Sequence, residues 1–410
     1  MNLDARALAA GFDLEKLTPE FYANPYPTYR ALRAHEPVKL MPNGSWFLTR
    51  YDDLVTAYKS TKVFSSDKKK EFAPKYGASL LYEHHTTSLV FNDPPAHTRV
   101  RRLIMGALSP RAIAAMEPDL IALVDRLLDG LAAKGRVEGK VDLIDDFASA
   151  IPIEVIGNLL DVPMGEREPL RDWSLAILGA LEPVVSPEVF ARGNLAVKDF
   201  LGYLEGLVER RRAKPGNPLN DVLTRLIQGE DNGERLTEKE LLHNCIFLLN
   251  AGHETTTNLI GNGLVALLDH PAEKARLIEH PDMIKAAVEE MLRFESSNQL
   301  GNRITVEPVE LGGTALPAGT PVTLCIGAAN RDPLQFSDPE HLDIGRTPNR
   351  HLAFGTGAHQ CAGMALARLE GAIAVSRFLA RFPEYALSGA PMRGGRVRFR
   401  GFLKVPCVTG

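Results

Sequence analysis

The stretch His351-Leu-Ala-Phe354-Gly355-Thr-Gly357-Ala-His359-Gln-Cys361-Ala-Gly363-Met-Ala-Leu366-Ala-Arg368-Leu369-Glu370 governs how the other residues are read. It sets a single cysteine in a glycine-rich loop that runs straight into an amphipathic helix. The glycines remove side chains where a bulky group has to lie against backbone. From about Ala362 the apolar residues Leu366, Leu369, Ile373 and Phe378 recur at helical spacing, with Glu370, Arg377 and Arg381 between them. Cys361 therefore falls at a helix N-terminus, where unpaired N–H groups and the positive end of the helix dipole favour thiolate over thiol. A thiolate held this way binds a metal. A cysteine near glycines is far more often an inert core residue, and only the whole spaced string argues otherwise.

The chain has 410 residues, 45% hydrophobic and 24% charged, enough to bury a large core. A net charge of −4 argues against nucleic acid or an anionic membrane as the main partner. No leader-like apolar run opens the chain and no run of about 18 apolar residues occurs, so the expectation is a cytoplasmic protein that spans no membrane. Cys245, Cys325, Cys361 and Cys407 are scattered with no Cys-x-x-Cys spacing, so neither a disulfide framework nor a zinc cluster is indicated.

Pro37-Val38 opens a strand whose hairpin partner is Ser45–Thr49. Phe64 to Phe91 loses periodicity and reads as a long irregular insert, its lysines Lys68 to Lys70 as a solvated face. Two prolines lead into a helix on which His97 and Arg101 share a face. Helical text then runs to Arg212, broken at Leu181–Pro187, with a surface turn at Asp231-Asn232-Gly233. Thr237-Glu-Lys-Glu240 is a capping box ahead of a helix of some 30 residues, roughly 45 Å long, ending before Pro271. Midway it carries Ala251-Gly-His-Glu254-Thr255-Thr-Thr257, where glycine and three threonines predict a bulge or kink, with His253 facing solvent.

Phe-Gly-x-Gly-x-His-x-Cys-x-Gly followed by a helix resembles the haem-thiolate loop of the soluble bacterial cytochrome P-450 superfamily. Ala-Gly-x-Glu-Thr-Thr at 251–256 and Glu-x-x-Arg at 290–293 match two further motifs of that family. The resemblance covers essentially the whole chain. It implies a mainly α triangular prism with a minor β-region, in one domain over 1–410, the haem lying between the long central helix and the helix after the cysteine. The β-rich part is expected at about 37–50, 303–325 and 385–410, the helical part at about 93–294 and 362–382.

The resemblance further implies Cys-ligated haem b with Cys361 on the iron, Phe354, Gly355 and Gly363 shaping the loop, and His97, Arg101, Arg303 and His351 as propionate partners. Glu254 and Thr255 become the proton relay for O2 activation; Glu290, Arg293 and Arg346 form a structural ion network. Phe72, Leu80, Leu178, Leu181, Phe247, Asn250, Ala251, Asn298, Leu300 and Phe402 are expected around the substrate. The family usually has proline at Ser297 and an apolar residue at Asn298, so this chain's pocket differs there.

The implied activity is monooxygenation, by hydroxylation, epoxidation or O-dealkylation, of a small organic substrate such as an aromatic acid or phenol. Electrons come from NAD(P)H through a separate ferredoxin or flavodoxin that docks near Arg99, Arg102 and Arg368 on a monomeric protein. A peroxide-driven haem enzyme and a non-enzymatic haem gas sensor or carrier are the alternatives.

Overall fold

The computed structural model describes residues 2–218, 221–229, 233 and 235–410; Asp231 and Asn232 of the expected turn lie outside them. The centre of the molecule is the helix Glu238–Asp269. Its start follows from the capping box: the Thr237 hydroxyl accepts from Glu240 N at 3.2 Å, and the Glu240 carboxylate accepts from Thr237 N at 2.9 Å. From Leu259 to Leu267 every residue is buried, so this helix is wrapped on all sides rather than lying on the surface.

Gly252 to Thr257 sits in unbroken α-helix, without the expected bulge. The threonine hydroxyls do bond back one turn, Thr255 to Ala251 O at 2.7 Å and Thr257 to His253 O at 3.0 Å. The glycine has a packing cause: a Cβ at 252 would stand 2.3 Å from Ile156 Cδ1, on the crossing helix Ala150–Leu159.

Met364–Arg381, the helix after the cysteine, packs across the long one, with Gly371 against Leu259 and Phe378 against Phe147 at 5.3 Å between ring centroids. Below it Glu290 is wholly buried and receives Arg293 Nε at 2.7 Å, Arg346 Nε at 3.1 Å and Asn349 Nδ2 at 3.0 Å. Arg293 spends its remaining donors on the carbonyls of Asn330, Pro339 and His341. Every buried charge in the network is thus answered.

The hairpin Val38–Leu40/Trp46–Leu48 joins Pro321–Cys325, Leu300–Thr305 and Phe64–Ser65 in one five-stranded sheet. The fourth of these begins at Leu300, three residues before the expected boundary. The tail carries four short strands, Ala386–Leu387, Met392–Arg393, Phe402–Lys404 and Pro406–Val408, and Phe399 makes an isolated bridge to Asn298.

The insert from Phe64 to Phe91 is ordered as two short helices, Lys69–Tyr76 and Leu80–Thr87, the second capped by Ser79. Each is too short for periodicity to show. Lys68 is not solvated; it is buried against Glu71 at 2.5 Å. The turn between Glu168–Gly179 and Pro187–Ala213 is tied down by this insert and by the tail. Tyr76 Oη donates to Ala180 O at 2.6 Å, Lys75 Nζ to Glu182 O at 2.8 Å and Arg398 Nε to Leu181 O at 2.9 Å. Among the described residues no helix is long and apolar enough to cross a membrane.

Candidate active site

The cysteine loop closes on itself through Cys361 N, which donates to Phe354 O at 2.9 Å. Gly357 has φ +73°, and a Cβ there would lie 2.8 Å from Tyr58 O, so only glycine permits this approach. Gly363 then begins the cysteine helix, and its N–H points at the Cys361 sulfur. Burial raises the thiol pKa, against the pull of that N–H, Arg101 and Arg368. The helix terminus alone does not win; a cation at sulfur reverses the balance. Among the described residues no group of three or more His, Cys, Asp or Glu side chains gathers as a metal cage. A metal at Cys361 must therefore bring its other ligands with it, as a macrocycle does.

Cys361 lines a large cavity between its loop and the long helix. Around that cavity stand polar atoms whose hydrogen bonds are unmet: both ring nitrogens of His97, Nε2 of His359 and Nε of Arg303, each neutral imidazole offering one N–H. The two imidazoles lie 3.9 Å apart between centroids, tilted by 33°; Arg101 donates to Gln360 O at 2.7 Å, and Arg303 lies 5.0 Å over the Tyr58 ring. Burying this many donors without acceptors is unfavourable. A haem whose two propionates point here satisfies them, so the residues present fit the group.

His351 does not belong to this set. Its Nε2 is 3.1 Å from Glu289, and the ring stays off the cavity wall. His359, two residues before the cysteine, stands on that wall instead; the sequence reading used it only as part of the motif.

Thr255 faces the cavity, but Glu254 does not. Successive helical residues diverge by about 100°, which turns Glu254 toward a second cavity of ≈ 30 Å³ shared with His253, Asn258 and Phe402. Arg396 grips both Glu254 oxygens at 2.7 and 2.8 Å. Burial nonetheless outweighs this partner and raises the Glu254 pKa to about 7. His253 is buried, not solvent-facing, because Arg171 and Leu175 of the helix Glu168–Gly179 and the tail around Arg396 cover that side; neither ring nitrogen has a partner.

Of the expected pocket residues, Leu178, Leu181, Phe247, Asn250, Ala251, Asn298 and Leu300 line the large cavity. Phe72, Leu80 and Phe402 do not: Phe72 stands one layer back, packed on Tyr76, His85 and Phe91, and Phe402 borders the second cavity. Sequence reasoning missed His85, Arg398 and Phe399, which reach the wall from the short helices and the irregular tail. It also missed Glu370 as a wall residue: wholly buried, with Oε2 unpartnered, its pKa is raised to about 8 by burial alone. Two proposed docking cations are already engaged, Arg99 with Glu240 and Arg368 with Glu289 at 2.6 Å.

Residues 43–386 match the family model described as Cytochrome P450. The chain is 39% identical to a vitamin D(3) 25-hydroxylase of Pseudonocardia autotrophica, covering 90% of this chain and 89% of that protein. It is 36% identical to a biotin biosynthesis cytochrome P450 of Bacillus subtilis, covering 90% and 92%. The crystal structure of P450BioI in complex with an acyl carrier protein ligated to hexadec-9Z-enoic acid superposes with a TM-score of 0.89 at 35% identity, covering 95% of this chain and 99% of that one. Relatives named as hydroxylases and monooxygenases share this fold with the protein, and the family works with Cys-ligated haem b, O2 and electrons relayed from NAD(P)H by partner proteins. The chain belongs to the cytochrome P450 family and is a haem-thiolate monooxygenase.

Proposed function

We propose that Cys361 is the axial thiolate and that His97, Arg101, Arg303 and His359 hold the propionates. Haem bound by a thiolate supplies the activation of O2. The chain supplies everything else. Thr255 presents its hydroxyl to the cavity and hands on the proton that the reaction consumes. Glu254, with a pKa of about 7, holds that proton near neutral pH on the far side of the long helix. To pass it on, the carboxyl leaves Arg396 and turns toward the Thr255 side. The apolar wall of Leu178, Leu181, Phe247 and Leu300 excludes water and holds a small aromatic substrate bearing an acid or phenol group. A ferredoxin or flavodoxin delivers electrons on the cysteine side, its acidic groups competing for Arg99 and Arg368.

The observation that carries this reading is that the Cys361 sulfur, the unmet donors and Thr255 border one cavity. Reduction of the purified protein under carbon monoxide tests it. The expected result is the red-shifted band of a thiolate-bound haem, lost in Cys361→Ser; a spectrum untouched by that substitution refutes the assignment. Product formation with peroxide but not with a reductase and ferredoxin overturns the electron route.

A further inference from the structure

Asn250 is 2% exposed and faces the large cavity, yet neither Oδ1 nor Nδ2 has a partner. The contrast with Asn244 on the same helix is direct: its Nδ2 donates to Glu240 O at 2.8 Å and its Oδ1 accepts from Leu89 N at 3.0 Å. A buried carboxamide with both halves unmet is unfavourable in the free protein and gains most when a ligand meets both. His85 borders the same cavity from the helix Leu80–Thr87, 2% exposed, with Nε2 unpartnered. Phe72, Tyr76 and Phe91 hold its ring at 5.4 to 5.9 Å between centroids. Burial, with Lys75 and Arg398 nearby, keeps the imidazole neutral, so it too offers one donor and one acceptor.

We propose that Asn250, assisted by His85, anchors a hydroxyl group on the substrate, so that the pocket selects a one-ring phenol oxidised at the far side of its ring. This rests on the assignment of Cys361 and Thr255 above. The chemistry of the amide selects the group. A hydroxyl donates to Oδ1 and accepts from Nδ2 or from the imidazole. A carboxylate only accepts, leaves Oδ1 unmet and sets negative charge against it. Arg398 is pinned by one donor from each of its three guanidinium nitrogens, to Leu181 O, Leu300 O and Asn302 Oδ1; a carboxylate seated on its two remaining N–H groups is the competing outcome that the benzoate probe reads. Lys75 is committed to Glu182 O.

The helix also sets the length. Both Asn250 and Thr255 border the cavity, and Asn250 precedes Thr255 by five residues, about 140° around the axis and roughly 7.5 Å along it at the usual helix geometry. That is about the span of a benzene ring with a substituent at each end, hydroxyl at Asn250 and reacting carbon near Thr255. The intervening wall, Ala251 and Phe247 with Leu300 opposite, offers such a ring only apolar contact.

Spin-state titration of the haem-loaded protein with three matched probes decides the matter: 4-methoxyphenol, 4-methoxybenzoate and 4-methoxytoluene. The wild type should bind the phenol about ten-fold or more tightly than either of the others, the ratio usual for a site whose buried polar groups are otherwise left unpaired. Asn250→Leu should abolish that preference while binding 4-methoxytoluene at least as well as the wild type, and His85→Phe should reduce the preference in part. Preference for the benzoate, equal binding of phenol and toluene, a preference that survives Asn250→Leu, or no spin change with any probe each overturns the proposal. The reduced carbon monoxide spectrum of the same samples separates the two assignments: a thiolate band with failed probe selectivity sinks only the hydroxyl anchor.

Discussion

Glu370 offers a sharp test of how burial sets proton affinity in this protein. The side chain is 2% exposed on the cysteine helix, has no charged partner, and has a pKa raised from 4.5 to about 8 by burial alone. In the unfolded chain the carboxyl titrates near its ordinary value. A raised folded-state pKa means that the native state prefers the protonated form. Its stabilisation is intact below pH 4.5 and is lost as pH rises through 8. The linkage amounts to about 3 kcal/mol lost by pH 7 and about 5 kcal/mol above pH 8. Glu370→Gln keeps the shape and cannot ionise, so it escapes the loss. Urea unfolding of holoenzyme at pH 5, 7 and 8.5 should show the variant gaining on the wild type as pH rises. Glu254 titrates in both proteins and cancels in the difference. Parallel pH curves would refute the claim that Glu370 sits uncompensated in a dry interior.

Arg396→Ala removes the cation that holds Glu254 down, so the Glu254 pKa should rise above about 7, and the pH profile of coupled turnover should move to higher pH; an unmoved profile counts against Glu254 as the proton donor. Gly252→Ala improves helix propensity by up to about 1 kcal/mol, but its methyl meets Ile156 Cδ1, and overpacking of that kind typically costs about 1–3 kcal/mol. Net destabilisation is expected in thermal melts, relieved when Ile156→Ala is added. Arg346→Ala leaves Glu290 with a weakened answer to its buried charge and should destabilise by about 3 kcal/mol or more, with faster haem loss in a transfer assay to apomyoglobin.

What sequence discloses here depends on how local the cause is. The capping box at Thr237 and the cysteine loop are spelled out within a few residues, and both appear where the spacing places them. In the Glu290 network Arg293 was legible because it lies one turn away and Arg346 came with the resemblance, whereas Asn349, 59 residues off, was not foreseen. Arg396 was not legible as the partner of Glu254: the two are 142 residues apart, and the tail that carries the arginine has no periodic pattern. The same holds for Arg398 and Phe399. The short helices of the insert escaped because two turns give too few positions for a face to emerge, and Lys68 looked solvated because a charge run says nothing about a carboxylate folding back. His253 was misplaced by treating one side of the long helix as solvent, when Glu168–Gly179 and the tail cover it.

The turn at Ala180–Glu182 is pinned by Tyr76, Lys75 and Arg398, which belong to two segments distant in sequence. Displacing it strips three carbonyls of their donors at one stroke, so the stretch of cavity wall that carries Leu181 is held at three points at once, and loosening any one catch costs it a buried hydrogen bond.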